Sequence, residues 1–332
     1  MKTLRLYGAG DLRLQEEDPP RPAGDEVLLQ VKAVGICGSD LLWFLQGGIG
    51  ETRLSSPLVL GHEFAAVTEA GRRVAVDPSI NCGRCVQCLE GNPNLCGKQV
   101  FAGHGRQDGA LREFIAWPDH CCFPIPDGMS DAEGAMLEPL GVALHAIDLA
   151  HLQHEMRVAV LGCGPIGLLI LQLIKLFGVR HILATEVLPH RLEAANAFGA
   201  TDALLVHPDA VQIPSADGGG RQDFDVVFEV AGANAAVETA VDLVRPGGTV
   251  MLAGIPPDDR TSFNASTARR KGITLKLVRR MKHTYPRAIQ LAAEGLIDVR
   301  SLVTHRFPLD RAGEAFSAAA KREGIKVLIE MK

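Results

Sequence analysis

The stretch from Val160 to Gly167, "VLGCGPIG", decides how the chain is read. Gly162, Gly164 and Gly167 stand in the spacing G-x-G-x-x-G, after the apolar run "RVAVLG" and at the start of an apolar segment opened by Pro165 and Ile166. Glycines at these places let the backbone approach a pyrophosphate, and the start of the following helix supplies N–H donors and positive potential. A tight strand-to-helix turn is the plain alternative. The surroundings favour a dinucleotide site. Nineteen residues beyond Gly167, at the end of the next strand-like run "HILATE", stands Glu186. Its carboxylate would accept hydrogen bonds from ribose hydroxyls, where the bland reading is a solvated strand end. An acid there repels a 2′-phosphate and favours NAD over NADP. Arg191, five residues on, is placed to offset part of that preference.

Outward from this motif, "RVAVLG", "HILATE", "DVVFEV" and "TVMLAGI" alternate with helix-like segments. Strand and helix in alternation predict a doubly wound parallel sheet covered on both faces. The segment 166–177 has one charge, Lys175, and predicts a buried helix stopped at Gly178; another helix is expected over 235–244, ending at "RPGG". "ADGGGRQD", residues 216–223, predicts a surface loop. The first 140 residues differ in kind: short apolar runs such as "EVLLQVKAVG" and "RRVAVDPS", broken by Gly, Pro and Asp, predict a mainly β region. After Lys271 come strand-like "ITLKLV", helix-like "YPRAIQLAAEGLI", strand-like "LVTHRF", helix-like "RAGEAFSAAAK" and a last strand "KVLIEM".

A chain of 332 residues exceeds the usual single core and predicts two domains. Its net charge of -5 and pI near 6.1 give no basic excess for nucleic acid or an anionic membrane. The charged N-terminus "MKTLRLYGAG" and the lack of an uncharged run of roughly 20 residues predict a cytoplasmic protein. Of eight cysteines, Cys82, Cys85, Cys88 and Cys96 stand as C-x2-C-x2-C-x7-C in "CGRCVQCLEGNPNLC". Four thiolates so spaced can close a tetrahedral shell round zinc with no open position, which predicts a structural site; an iron–sulfur cluster is the alternative. "GICGSDLLWF" and "GHEF" add Cys37, His62 and Glu63, three residue types that bind zinc, at ends of strand-like runs in the same β-rich region. Taken singly, Cys37 reads as a small buried hydrophobe and His62 as a loop histidine. Beside a dinucleotide motif and a cysteine lobe they read as a divided metal site.

Together "GICGSD", "GHEF", "GRRVAVDP", the cysteine lobe, "LEPLGVALHA" and the glycine motif resemble the zinc-dependent medium-chain dehydrogenases over essentially the whole chain. "EPLGVALHA" and "HTYPRAI…LVTHRFPLDRAGEAF" are most similar to the polyol branch, which includes sorbitol and xylitol dehydrogenases. The resemblance implies an α/β protein: a GroES-like β-barrel catalytic domain over 1–142 and 281–332, and an inserted Rossmann domain over 143–280. It implies two zinc ions per chain, NAD, a small polyol substrate and a homodimer or homotetramer. Cys37 and His62 become catalytic zinc ligands, Glu63 the third ligand, and Glu138 an alternate or water-linked carboxylate. Ser39 matches the first hydroxyl of the proton relay. Trp43, Phe101, His104 and Arg280 align with substrate-pocket positions. Two departures are visible: Leu42 stands where many relatives carry a relay histidine, and "GHEFAAVTEAGRRVAV" is about ten residues short of the family's usual length. The reaction implied is hydride transfer from a secondary hydroxyl to NAD. The same chemistry on an amino-alcohol, sugar acid or cyclic polyol is the second reading, and a redox-inactive dinucleotide-binding protein the third.

Overall fold

In the computed structural model, residues 1–209 and 223–331 are described, so the loop expected at 216–223 lies outside them apart from Asp223. The chain forms two compact units, Met1–Gly141 with Met281–Lys332, and Val142–Arg280. No helix among the described residues is long and apolar enough to cross a membrane.

The second unit is a six-stranded parallel sheet in the order Asp202–Leu205, His181–Glu186, Arg157–Leu161, Phe224–Glu229, Val244–Leu252 and Thr274–Leu277. Chain order reverses between Arg157–Leu161 and Phe224–Glu229, the switch point at which open α/β sheets bind ligands. The glycine motif joins Arg157–Leu161 to the helix Pro165–Leu176, whose interior side chains Leu168–Ile174 are all buried. Gly167 has no alternative: a Cβ there would lie 2.0 Å from the Gly162 carbonyl oxygen. Leu204 packs against the sheet's core from the short edge strand Asp202–Leu205, an element absent from the expected set.

The helix expected to run to Val244 ends one residue sooner, as Asn234–Leu243, and "RPGG" lies inside the strand Val244–Leu252. The helix stops where Val244 turns extended and pairs with Phe224, and a buried lysine caps its end. Lys271 Nζ donates to the carbonyls of Val241, Asp242 and Val244 at 2.7–2.9 Å, taking acceptors that the last helical turn leaves unpaired.

In the first unit, a seven-stranded sheet is organised by one long strand, Glu26–Gly35. One edge of it pairs with Glu63–Thr68; the other is shared between Phe114–Pro118 and the C-terminal strand Lys326–Glu330. Leu29 and Val31 alternate into the core with Phe64, Ala66, Val74 and Val76 from neighbouring strands, but the strict alternation expected through Ala33 breaks at a register shift between Val31 and Ala33: Val34 continues that face, and Ala33 packs instead with Ala132, Ala135 and Leu328. Where the sequence is short, Glu63–Thr68 passes into Arg73–Val76 through a tight turn, with the Arg72 N–H donating to Thr68 Oγ1 at 3.1 Å.

Candidate active site

Three segments of the first unit converge at the end of the long strand. Gly35 pairs with Glu63 and also with Leu328, so the last residues of the strand fix the start of both neighbours. Cys37 then caps the helix Gly38–Gln46. One ligand atom from each of Cys37, His62 and Glu63 lies within 4.8 Å of the others, a cluster close enough for one cation. Glu138, in the first turn of the helix Leu137–Ala150, stands outside this close set, but is buried and electrostatically coupled to His62 and Glu63.

Two residues that the sequence reading left unassigned hold the cluster. Asp40 is the third residue of the helix, and its Oδ2 accepts the Cys37 N–H at 2.9 Å. Its Oδ1 accepts the Gly61 N–H at 3.3 Å and faces His62 Nδ1 at 3.4 Å. One carboxylate therefore ties both ligand segments together. With Nδ1 facing this carboxylate, Nε2 is the nitrogen left to serve a metal, the arrangement in which a carboxylate orients a metal-binding imidazole. The second is Lys326, from the C-terminal strand. It is 3% exposed, pairs with Glu63 Oε2 and donates to the Ile36 carbonyl at 3.1 Å. "GSD" carried a trace of the first role; a lone lysine at the head of "KVLIE" carried none of the second.

The electrostatics fit a cation. Burial disfavours a charged His62, but Asp40 and Cys37 outweigh it and raise the imidazole pKa well above its usual value. Burial pushes Glu138 up to about 7, helped by Glu63 and Asp77 against the pull of His62 and Lys326. The donor set thus gathers protons that a metal ion would replace.

In the cysteine lobe, Cys85 and Cys88 sulfurs lie 3.5 Å apart and those of Cys96 and Cys82 3.6 Å apart, with all four thiols free. A zinc–sulfur tetrahedron has edges of about 3.8 Å. The N–H groups of Arg84 and Cys85 lower Cys82 to about 6, whereas desolvation and the neighbouring thiols raise Cys88 to about 12. Four thiolates need a cation among them, and the residues fit zinc. Lys282 Nζ anchors the lobe by donating to Asn92 Oδ1 at 2.7 Å.

In the second unit, Glu186 ends its strand beside the glycine loop and is buried. Its Oε2 accepts the Cys163 N–H at 2.8 Å, and its Oε1 those of Val187 and Leu188 at 2.7 and 3.2 Å. Arg191 also reaches the loop: a Cβ on Gly164 would meet its Nη1 at 3.6 Å. Glu229, at the switch point, is buried and takes the N–H groups of Ala231 and Gly232 at 2.9 and 2.7 Å.

The remaining expected residues are spread. Phe101 packs on His62, ring centroids 5.2 Å apart. Trp43 is 1% exposed, within the core, and meets His104 edge-on at 5.6 Å. Ser39 is half-buried in the first turn of its helix. Arg280 belongs to the second unit and has a left-handed backbone, φ 52°.

Residues 23–127 match the alcohol dehydrogenase GroES-like domain and residues 165–294 the zinc-binding dehydrogenase domain. Sorbitol dehydrogenase of Bacillus subtilis (strain 168) is 35% identical over 342 residues, covering 99% of this chain and 97% of that protein. The chain belongs to the zinc-dependent medium-chain dehydrogenases, on their polyol branch. Sorbitol dehydrogenase of Gallus gallus is 33% identical over 337 residues, covering 98% and 95%. Among solved structures, L-idonate 5-dehydrogenase from Escherichia coli str. K-12 substr. MG1655 superposes with a TM-score of 0.91 at 28% identity, over 99% of this chain and 97% of that one. The GroES-like and Rossmann architecture of these dehydrogenases is the one described above.

Proposed function

We propose that this dehydrogenase oxidises one secondary hydroxyl of a polyol to a ketone, with NAD as acceptor. The observation that carries the reading is the buried cluster of Cys37, His62 and Glu63, with Asp40 tying its two segments together, Lys326 paired to its glutamate and the buried Glu138 beside it. When bound, zinc supplies Lewis acidity to the substrate hydroxyl and NAD accepts the hydride. Cys37, His62 and Glu63 would hold the metal, and Asp40 keeps the His62 ring in the required tautomer. Ser39, two residues beyond Cys37, carries the proton outward, since Leu42 cannot. Glu138, buried beside the cluster, is the alternate or water-linked carboxylate. The four cysteines would hold a second zinc that pins their lobe.

NAD is favoured over NADP because Glu186 puts a carboxylate at the end of the second strand of the fold, where a 2′-phosphate would meet like charge. The polyol assignment draws on similarity to the two sorbitol dehydrogenases. A hydrated alditol needs donors to replace its water contacts, and Arg280, which remains protonated, offers them. A sugar acid is the second reading, favoured by the likeness to L-idonate 5-dehydrogenase and by the positive charge of the same Arg280. Chain environment and assembly follow the family in this reading: a cytoplasmic homodimer or homotetramer without nucleic-acid or membrane partners.

The test is a screen of alditols, sugar acids, amino-alcohols and simple secondary alcohols read by NADH absorbance, repeated with Arg280→Ala. An alditol should be preferred, and the variant should raise KM more for it than for 2-butanol. Preference for a sugar acid moves the assignment to the second reading; preference for 2-butanol defeats both.

A further inference from the structure

Lys326 is the feature of the site that metal ligation does not explain. A buried lysine, 3% exposed, is held against a carboxylate that is 2% exposed and that also belongs to the metal cluster. Charged groups at this depth are retained only when paired. Its ammonium has two partners, Glu63 Oε2 and the Ile36 carbonyl, and acts electrostatically on Cys37 and Glu138 as well. Glu63 is thus claimed from two sides. A second constraint keeps it there: the carboxylate lies over Gly35, where a Cβ would be 2.2 Å from Oε2, so the glycine leaves a niche that holds Glu63 within reach of the ammonium.

Cys37 and Glu63 together bring two negative charges to a divalent cation, which would leave the centre neutral and weakly electrophilic. An adjacent ammonium withdraws part of the carboxylate's charge. We propose that Lys326 is a positioning residue that competes with the metal for Glu63, making this carboxylate an exchangeable ligand and keeping the metal electrophilic. The inference rests on Glu63 being a metal ligand and adds that its bond to the metal is weakened by design of the pocket. A purely structural lysine would predict the opposite sign for its removal: a loosened glutamate and weaker metal binding.

The experiment compares zinc affinity, by chelator competition, in wild type, Lys326→Gln, Lys326→Met and Lys326→Arg, alongside Glu63→Gln. The two uncharged variants should hold zinc on the order of 10 times more tightly, the size by which altering a ligand's partner changes metal affinity but with the sign reversed because this partner competes for the ligand, while turning over more slowly. Lys326→Arg should restore wild-type affinity. Lys326→Gln keeps a donor for Glu63 and serves if the methionine variant does not fold. Unchanged or weaker zinc binding in the uncharged variants overturns the competition. Wild-type affinity in Glu63→Gln overturns the premise instead, and leaves the dehydrogenase reading to Cys37, His62 and Glu138.

Discussion

Gly35→Ala is the sharpest probe of how the fold builds the metal site. Gly35 does not have a left-handed backbone, so an alanine meets no conformational penalty there, and on a strand the substitution alone would stabilise by roughly 0.5–1 kcal/mol. The obstacle is Glu63. The new Cβ would lie 2.2 Å from Oε2, 3.2 Å from Cβ and 3.3 Å from Cδ of the glutamate. Since real Cβ atoms essentially never come within 3.0 Å of another atom, Oε2 must retreat by about 0.8 Å or more. An exposed glutamate would swing away at little cost. Here the side chain is buried and in tight contact along its length, and the retreat pulls it from Lys326. Breaking a buried ion pair costs about 3–5 kcal/mol.

For a unit of this size, roughly 2–4 °C of melting temperature follow each kcal/mol. The metal-free variant should therefore melt on the order of 10 °C below wild type. Calorimetry on chelator-treated protein, where no metal claims the carboxylate, gives the number. A stripped variant that melts at or above the wild-type temperature would refute the argument, because it would show that Glu63 relaxes freely and that neither the glycine niche nor the ion pair constrains it.

The two metal sites should separate in their effects: Cys88→Ser should destabilise the lobe, and Cys37→Ala should abolish turnover with a modest loss of stability, while metal analysis of wild type gives two zinc ions per chain. Glu186→Ser should improve NADP use relative to NAD, yet weaken both, because the same carboxylate organises the N–H groups of Cys163, Val187 and Leu188; steady-state KM values for the two cofactors check this. In the metal-free protein, His62 and Glu138 both have pKa values raised on folding, so the stabilisation from their protons is full below the unfolded values and is lost as pH rises through the folded ones, about 7 for Glu138. Melting temperature of stripped protein should fall between pH 6 and pH 8 while the stabilisation by added zinc grows, and a flat response in both would remove these groups from the site.

What was legible in the sequence was short-range. G-x-G-x-x-G and its acidic partner, the four cysteines and the "GHE" triplet each state their chemistry within a few residues of one another or at a fixed offset, and the parallel sheet announces itself by period and punctuation. The helix expected over 235–244 is Asn234–Leu243, within a residue at each end, whereas the Lys271 side chain that takes its last carbonyls lies too far along the chain to be read beside it. The edge strand Asp202–Leu205 was missed although "ALLV", residues 203–206, is an apolar run, because a run of four does not by itself tell a strand from a piece of helix. Trp43 carries the same limitation in reverse: an aromatic near a ligand segment looks like pocket or core alike until burial is known.

Asp40, Gly35 and Lys326 were illegible for a deeper reason. Their roles do not exist in any segment and arise only when strand register brings residue 35 opposite residue 63 and residue 328. Lys326 and Glu63 are 263 residues apart in sequence, with the whole second unit between them. The first segment supplies the cysteine, the next the histidine and glutamate, and the last strand supplies the charge that governs the glutamate. Because the ligands come early in the chain and their electrostatic partner last, the Lys326–Glu63 pair needs both halves of the first unit. An architecture that inserts the dinucleotide unit between those halves therefore separates the metal ligands in sequence from the charge that governs one of them, and loss of the C-terminal strand would leave the ligands present and that charge gone.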